Sequence, residues 1–563
     1  MNFLLVLSLV VPIAGALLAF VIGGRWVVRI ALAAMPLGLA IAVAIAAELR
    51  PAGGSLVYLL GGWSPPLGVA LRADWLSAVM MVTTAVVISA IGLFARADFA
   101  SGPAETRRSF AFWILLLAVW GALNTVFLSG DLFTFYVSLE LLVFVAVPLV
   151  ALDGRAETLQ AALRYLLFAL LGSVLYLAGT GLLYGAYGTL DIGLLAGRIR
   201  AEPVTAVAVA LMTVGLIAKT ALFPLYLWLP AAHAGAPAAA SAVLSALVVK
   251  GSFFIIVRLW FFVMPGLAGV AAPQLLGALG AGAIVFGSLL ALRQERLKLL
   301  VAYSTVAQLG YLFLVFPLAL DAQAGRLVDG SALIAGLIQA ASHATAKAAM
   351  FMAAGMIYVA LGHDRIAALG GVVRAAPLAA LVFLLAGVAL IGPPTSGVYL
   401  AKTLFLRAAD GTHQWWWSLV LDVGGVLTSA YLVMLVMRAL APTDPAAPSR
   451  RGVVSRQQQI AALALVLCSL LLGLLPWHVW LPLPVAVTTP DPLSLSALWS
   501  LVWPLLAGAA LATLLGRREK HRPLRVALWL ERADSALRQW PAAGFSLLGL
   551  TIMLGVAMLL PLR

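Results

Sequence analysis

The chain has 563 residues, of which 64% are hydrophobic and only 10% are charged, and its formal net charge is +14. That balance excludes an ordinary water-soluble domain and predicts an all-α polytopic membrane protein. The single cysteine, Cys468, excludes a thiolate-held iron–sulfur cluster and any disulfide within the chain.

No GxGxxG or GxxxxGKS/T phosphate loop is present, so no nucleotide site and no cofactor are expected in this chain. Apolar runs long enough to cross a bilayer recur throughout, predicting about 14–16 transmembrane helices. The first run, Phe3–Ile22, lacks a basic leader and is followed by Arg25 and Arg29, so it reads as a span rather than a signal peptide. Arg25/Arg29, Arg107/Arg108 and Arg293/Arg296/Lys298 all fall in connections that follow odd-numbered spans. This is the positive-inside pattern of a membrane protein with its N-terminus outside, not a nucleic-acid surface.

Four sections follow one another. Residues 1–74 read as an N-terminal helix pair and a longer outer loop, and 75–430 as a core in which buried ionisable groups and prolines concentrate. Residues 431–515 read as plainer spans, and 516–563 as an amphipathic interfacial helix with a final span. In that helix Val526, Trp529, Leu530, Ala533, Leu537 and Trp540 are assigned to the apolar face, with Arg525, Arg532, Asp534 and Arg538 elsewhere. Both a simple surface anchor and a strut against a neighbouring subunit fit it.

The core holds the chemistry. The chain has six lysines, and Lys219, Lys250, Lys347 and Lys402 lie inside apolar runs. A desolvated lysine, unlike an arginine, can release its proton near neutral pH. Several titratable groups at membrane depth mark an ion or proton path. Glu140, near the middle of its run, needs a cationic partner, and Lys219 is the candidate. His343 and Lys347 are i,i+4 neighbours and read as a relay step. Prolines beside Lys219 (Pro224) and Lys402 (Pro393, Pro394) predict broken helices of the kind found at transporter ion sites. His233, between Pro230 and Pro237, is an entry or helix-cap candidate; Asp422 is a coupling or interfacial one; Asp74 and Asp131 suit helix N-termini. No compact metal-ligand spacing is present.

The segments SGDLFTFYVSLELL (129–142), AKTALFPLYLWLPAAHAGAPAAASAVLSALVVKG (218–251), RLKLLVAYSTVAQLGYL (296–312) and SHATAKAAMFMAAG (342–355) carry a resemblance. Over roughly 70–430 the chain resembles the antiporter-like subunits shared by respiratory complex I, membrane-bound hydrogenases and Mrp-type cation/proton antiporters, the D-type Mrp protein among them. The resemblance implies two inverted five-helix repeats with broken helices and a lateral C-terminal helix. It implies an ion pair of Glu140 with Lys219, a central Lys250, a His343/Lys347 relay and an exit-side Lys402. It departs at Ala231, where many relatives have an acidic residue.

The function implied is proton translocation, with or without exchange for Na⁺, by one membrane subunit of a hetero-oligomeric complex in a prokaryotic-type cytoplasmic membrane. The alternatives are the pumping arm of a redox enzyme and an energy-coupling subunit for inorganic-carbon uptake. The chain has no redox centre of its own, so its status as part of an enzyme stays open at this stage.

Overall fold

The computed structural model describes residues 3–99, 106–266, 269–321, 326–327, 330–441, 452–485, 487, 491–519 and 525–560. Among these, fifteen helices are long and apolar enough to cross a membrane. The first three are α1 (Phe3–Ile22), α2 (Trp26–Glu48) and α3 (Trp75–Phe99). The outer connection before α3 contains an unexpected antiparallel hairpin, β1 (Ser55–Leu59) and β2 (Ala70–Asp74). Its strands are five residues each, too short for a period-2 pattern to stand out in the sequence.

Next come α4 (Arg107–Leu128), α5 (Leu132–Val150), α6 (Ala156–Tyr187), a broken pair α7 (Pro203–Thr220) and α8 (Leu229–Gly235), and α9 (Ala238–Val263). The same plan recurs in α10 (Ala271–Leu292), α11 (Leu297–Leu318), α12 (Gly330–Leu361), a broken pair α13 (Pro377–Ile391) and α14 (Gly397–Gly411), and α15 (Trp415–Ala439). Each unit is five crossings with the fourth one broken. Because five is odd, the second unit runs through the membrane in the opposite sense to the first, as an inverted repeat requires.

Helices α16 (Arg456–Leu471), α17 (Leu495–Glu519), the short α18 (Arg525–Leu537) and α19 (Trp540–Leu559) complete the chain. Helix α19 returns to pack on α7 and α10. Burial follows position in the bundle. Nearly all of α9 is buried, against about a third of α1. Close helix approach is set by small residues. A Cβ on Gly172 of α6 would stand 2.6 Å from the Gly215 carbonyl of α7, so glycine at 172 lets the two backbones meet. That contact brings the end of α7, with Lys219, beside α5 and α6.

Candidate functional site

The first break begins at Lys219, in the last turn of α7. Ala221 then takes a left-handed φ of 59°, which costs a residue with a Cβ on the order of 1–2 kcal/mol. Carbonyls freed at membrane depth need donors. The Ala218 carbonyl receives one from the Trp228 indole at 3.1 Å, and Trp228 is stacked on Tyr165 of α6 at 4.1 Å. The break is therefore a fixed structure, and it holds Lys219 Nζ 3.0 Å from Glu140 Oε1. Ser173 of α6 donates a second hydrogen bond to the same carboxylate oxygen. Lys219 is 3% and Glu140 13% exposed, so the pair is almost dry.

Lys250 sits in α9 just after a π-helical stretch, Leu244–Val248. Widening the helix there releases the Ser245 carbonyl from its usual partner, and Lys250 Nζ donates to it at 2.5 Å. Lys219 lines a small cavity with Val248 and Ser252, which lie two residues before and two after Lys250. Lys347 of α12 is close enough for its charge to act on Lys250. It donates to Ser304 Oγ and to the Val301 carbonyl (3.3 Å) of α11. His343, one turn earlier, is fully buried, and among the described residues neither ring nitrogen has a hydrogen-bond partner.

Lys402 lies in α14, six residues after the second break has ended at Ser396, whose side chain caps Tyr399 N–H at 3.2 Å. Its Nζ is 3.0 Å from Asp422 Oδ1 of α15. This second pair is looser and wetter, at 18% and 40% exposure. His233 is in α8, fully buried and stacked on Phe351 at 4.6 Å, with both nitrogens unpaired among the described residues. A cavity of about 450 Å³ opens at the end of α8, against Ala234 and Gly235, and is lined by Asp153, Arg155, Glu157, Lys298 and Asp364. These residues lie in the Arg-rich connections or in the first turn of the helices that follow them. Arg155 and Lys298 donate to the Gly235 and Ala236 carbonyls at 3.2 and 3.0 Å, pinning the end of α8 to the cavity wall. Burial disfavours the Asp153 charge, but hydrogen bonds from Thr158 and Arg155 outweigh it and hold the carboxyl below its ordinary value.

Asp131 caps α5 through Thr134 N–H (2.8 Å) and Asp74 caps α3 through Ser77 N–H (3.0 Å). Asp74 also takes a two-toothed pair from Arg258 at 2.5 and 2.6 Å, locking α3 to the end of α9.

One expectation fails. Asp534 is not on the outer side of the amphipathic helix α18; it is buried, and it accepts hydrogen bonds from Tyr226 (2.9 Å) and Tyr303 (2.9 and 3.0 Å). Tyr226 belongs to the first break and Tyr303 precedes Ser304, so α18 clasps both sides of the lysine array. The signal was present: Asp534 is four residues from Leu530 and therefore on its face. Conversely, Trp529 is exposed. The side chains of Arg525 and Val526 lie outside the described residues.

The family model described as NADH:quinone oxidoreductase/Mrp antiporter, transmembrane, matches residues 129–428. The NADH-quinone oxidoreductase subunit N of Desulforudis audaxviator is 33% identical over 388 residues, spanning 68% of this chain and 75% of that one. The D-type protein of the Na⁺/H⁺ antiporter of Bacillus subtilis is 28% identical over 486 residues, spanning 84% and 94%. Among solved structures, a chain of the Mrp complex from Dietzia sp. DQ12-45-1b superposes with a TM-score of 0.75 at 25% identity, over 91% of this chain and 97% of that one.

Proposed function

Because the chain belongs to the NADH:quinone oxidoreductase/Mrp antiporter membrane family, we propose that it is a proton-translocating subunit of a multisubunit membrane complex, exchanging protons for Na⁺. The observation that carries this is the run of buried amines. Lys219, Lys250 and Lys347 follow one another through the bundle at 4% exposure or less, and Lys402 stands beyond them toward the opposite face. A static scaffold has no use for so many buried cations, and each is costly at membrane depth.

Protons enter from the Arg-rich face through the 450 Å³ cavity and pass His233. That face is cytoplasmic, with the N-terminus outside, by the distribution of arginine. With Glu140 and Lys219 paired, the carboxylate offsets the Lys219 charge and Lys250 accepts a proton. When the pair opens, the unbalanced Lys219 ammonium repels that proton toward Lys347 and onward to Lys402. The half-exposed Lys402–Asp422 pair is the release site. Glu140, Lys219, Lys250, His343, Lys347 and Lys402 thus carry protons, while His233 and Asp422 serve entry and exit. The other membrane subunits complete the cation path.

The 33% relative named as an NADH-quinone oxidoreductase subunit favours a second reading, the pumping arm of a redox enzyme. Purification of the intact complex in mild detergent, mass spectrometry of its subunits and reconstitution into vesicles separate the two. Membrane subunits alone, with Na⁺-dependent collapse of a pH gradient, support exchange. Co-purifying iron–sulfur subunits, with no Na⁺ dependence, overturn it in favour of the redox arm.

A further inference from the structure

Between Lys347 and the Lys402–Asp422 pair lies a cluster that the steps above do not use. Ser304, Gln308 and Tyr311 share one face of α11, spaced four and three residues apart. Across from them on α15 stand Thr428 and Tyr431. The buried Tyr431 hydroxyl is within reach of Ser304, Gln308 and Thr428. Tyr311 is within reach of Thr428 and in the field of Asp422. Adjacent glycines make the end of this route. Gly424 leaves bare backbone against the Tyr311 hydroxyl, and Gly425 does so beside Lys402 Nζ.

The unusual feature is how many of these groups are left without partners. Among the described residues, Gln308 Nε2, Thr428 Oγ1, Ser429 Oγ, Tyr431 Oη and both His343 nitrogens are buried with no well-formed hydrogen bond. Gln308 Oε1 is held by Gln339 at 3.2 Å, so only its amide N–H₂ is uncommitted. Folded proteins rarely leave buried polar groups so, and a contiguous set of them is better explained by a dynamic function than by packing. Hydroxyls that can rotate, each close to the next, form a hydrogen-bonded file that passes protons.

We infer that the proton leaves Lys347 for the Asp422–Lys402 pair along a hydroxyl file of Ser304, Tyr431, Thr428 and Tyr311, with Tyr431 as its central relay. This rests on the proton-translocating reading above. The balance is simple. The Lys347 ammonium gives up one proton and the Asp422 carboxylate receives one. Each hydroxyl between takes a proton on its oxygen as it passes its own on, and ends unchanged after rotating. No charge rests on the tyrosines. Ser304 is well placed to start the file because it already accepts from Lys347 Nζ.

The test compares the assembled complex in proteoliposomes carrying Tyr431→Phe, Tyr311→Phe or Thr428→Val, each of which removes only a hydroxyl from the file. Each is expected to slow proton movement by roughly tenfold, a modest loss for a removed proton-transfer group. The double variant Tyr431→Phe/Tyr311→Phe is expected to be little slower than either alone, because the groups act in series. A larger solvent deuterium effect on the rate should accompany the loss, which a packing defect would not produce. Thr428→Ser, which restores the hydroxyl, should recover most of what Thr428→Val loses. Wild-type rates and an unchanged isotope effect in both tyrosine variants, beside an inactive Lys250→Met control, overturn the hydroxyl file and leave translocation standing. Wild-type rates in Lys250→Met as well overturn the translocating reading itself.

Discussion

The two broken-helix units place their lysines differently. In the first, Lys219 closes the leading half-helix and its partner Glu140 comes from two crossings earlier. In the second, Lys402 lies within the trailing half-helix and its partner Asp422 comes from the next crossing. Both pairs have the same 3.0 Å separation, but only the first is dry. At an effective dielectric of about 20, charges at that distance attract by ~5 kcal/mol before desolvation is counted. Exposed pairs gain only about 0–1 kcal/mol, because water competes. Under the proposed translocation, the same chemistry would serve as a strong switch in one unit and as an easily opened release site in the other.

Breaking one side of the dry pair tests this contrast most harshly. Glu140→Gln leaves the Lys219 ammonium buried and uncompensated, so about 3–5 kcal/mol of stability and nearly all proton movement should be lost. The double variant Glu140→Gln/Lys219→Met should regain much of the stability and none of the transport. Thermal unfolding of the purified complex, paired with a vesicle pH assay, checks both statements.

A smaller loss is expected at the clasp around the first break. Asp534→Asn removes charged acceptors from Tyr226 and Tyr303 and should cost about 1–3 kcal/mol locally. Faster hydrogen exchange confined to 525–537 and the loop after Thr220 is the readout. Exchange unchanged there would mean that α18 is held by its apolar contacts alone.

The smallest stability effect belongs to the wet pair. Asp422→Asn should shift stability by less than about 1 kcal/mol, yet slow proton release several-fold. A large drop in thermal stability in this variant would show that the two pairs are not as different as their exposure implies.

The lysine array was legible in the sequence because lysine is so scarce there that its positions stand out, and because proline marks both breaks. The Glu140–Lys219 pairing was legible too, since a mid-membrane carboxylate requires a cation. The partners that complete the array were not. Ser173 and Ser304 are ordinary helix residues until the packing of α5 on α6 and of α11 on α12 brings them to Glu140 and Lys347. The widened turn that supplies Lys250 with the Ser245 carbonyl leaves no residue pattern that distinguishes it from a regular helix. Asp422 could be singled out as a charge in an apolar run, but its partner depends on an interhelical contact. Asp534 shows the opposite case, in which helical spacing did place it on the inner face but its charge argued for the outer one.

Proton movement in vesicles carrying the complex with Lys250→Met tests the central claim most directly. Loss of transport, with the complex assembled and the Glu140–Lys219 pair intact, is the expected result. Transport at the wild-type rate would contradict a proton path through the buried lysines.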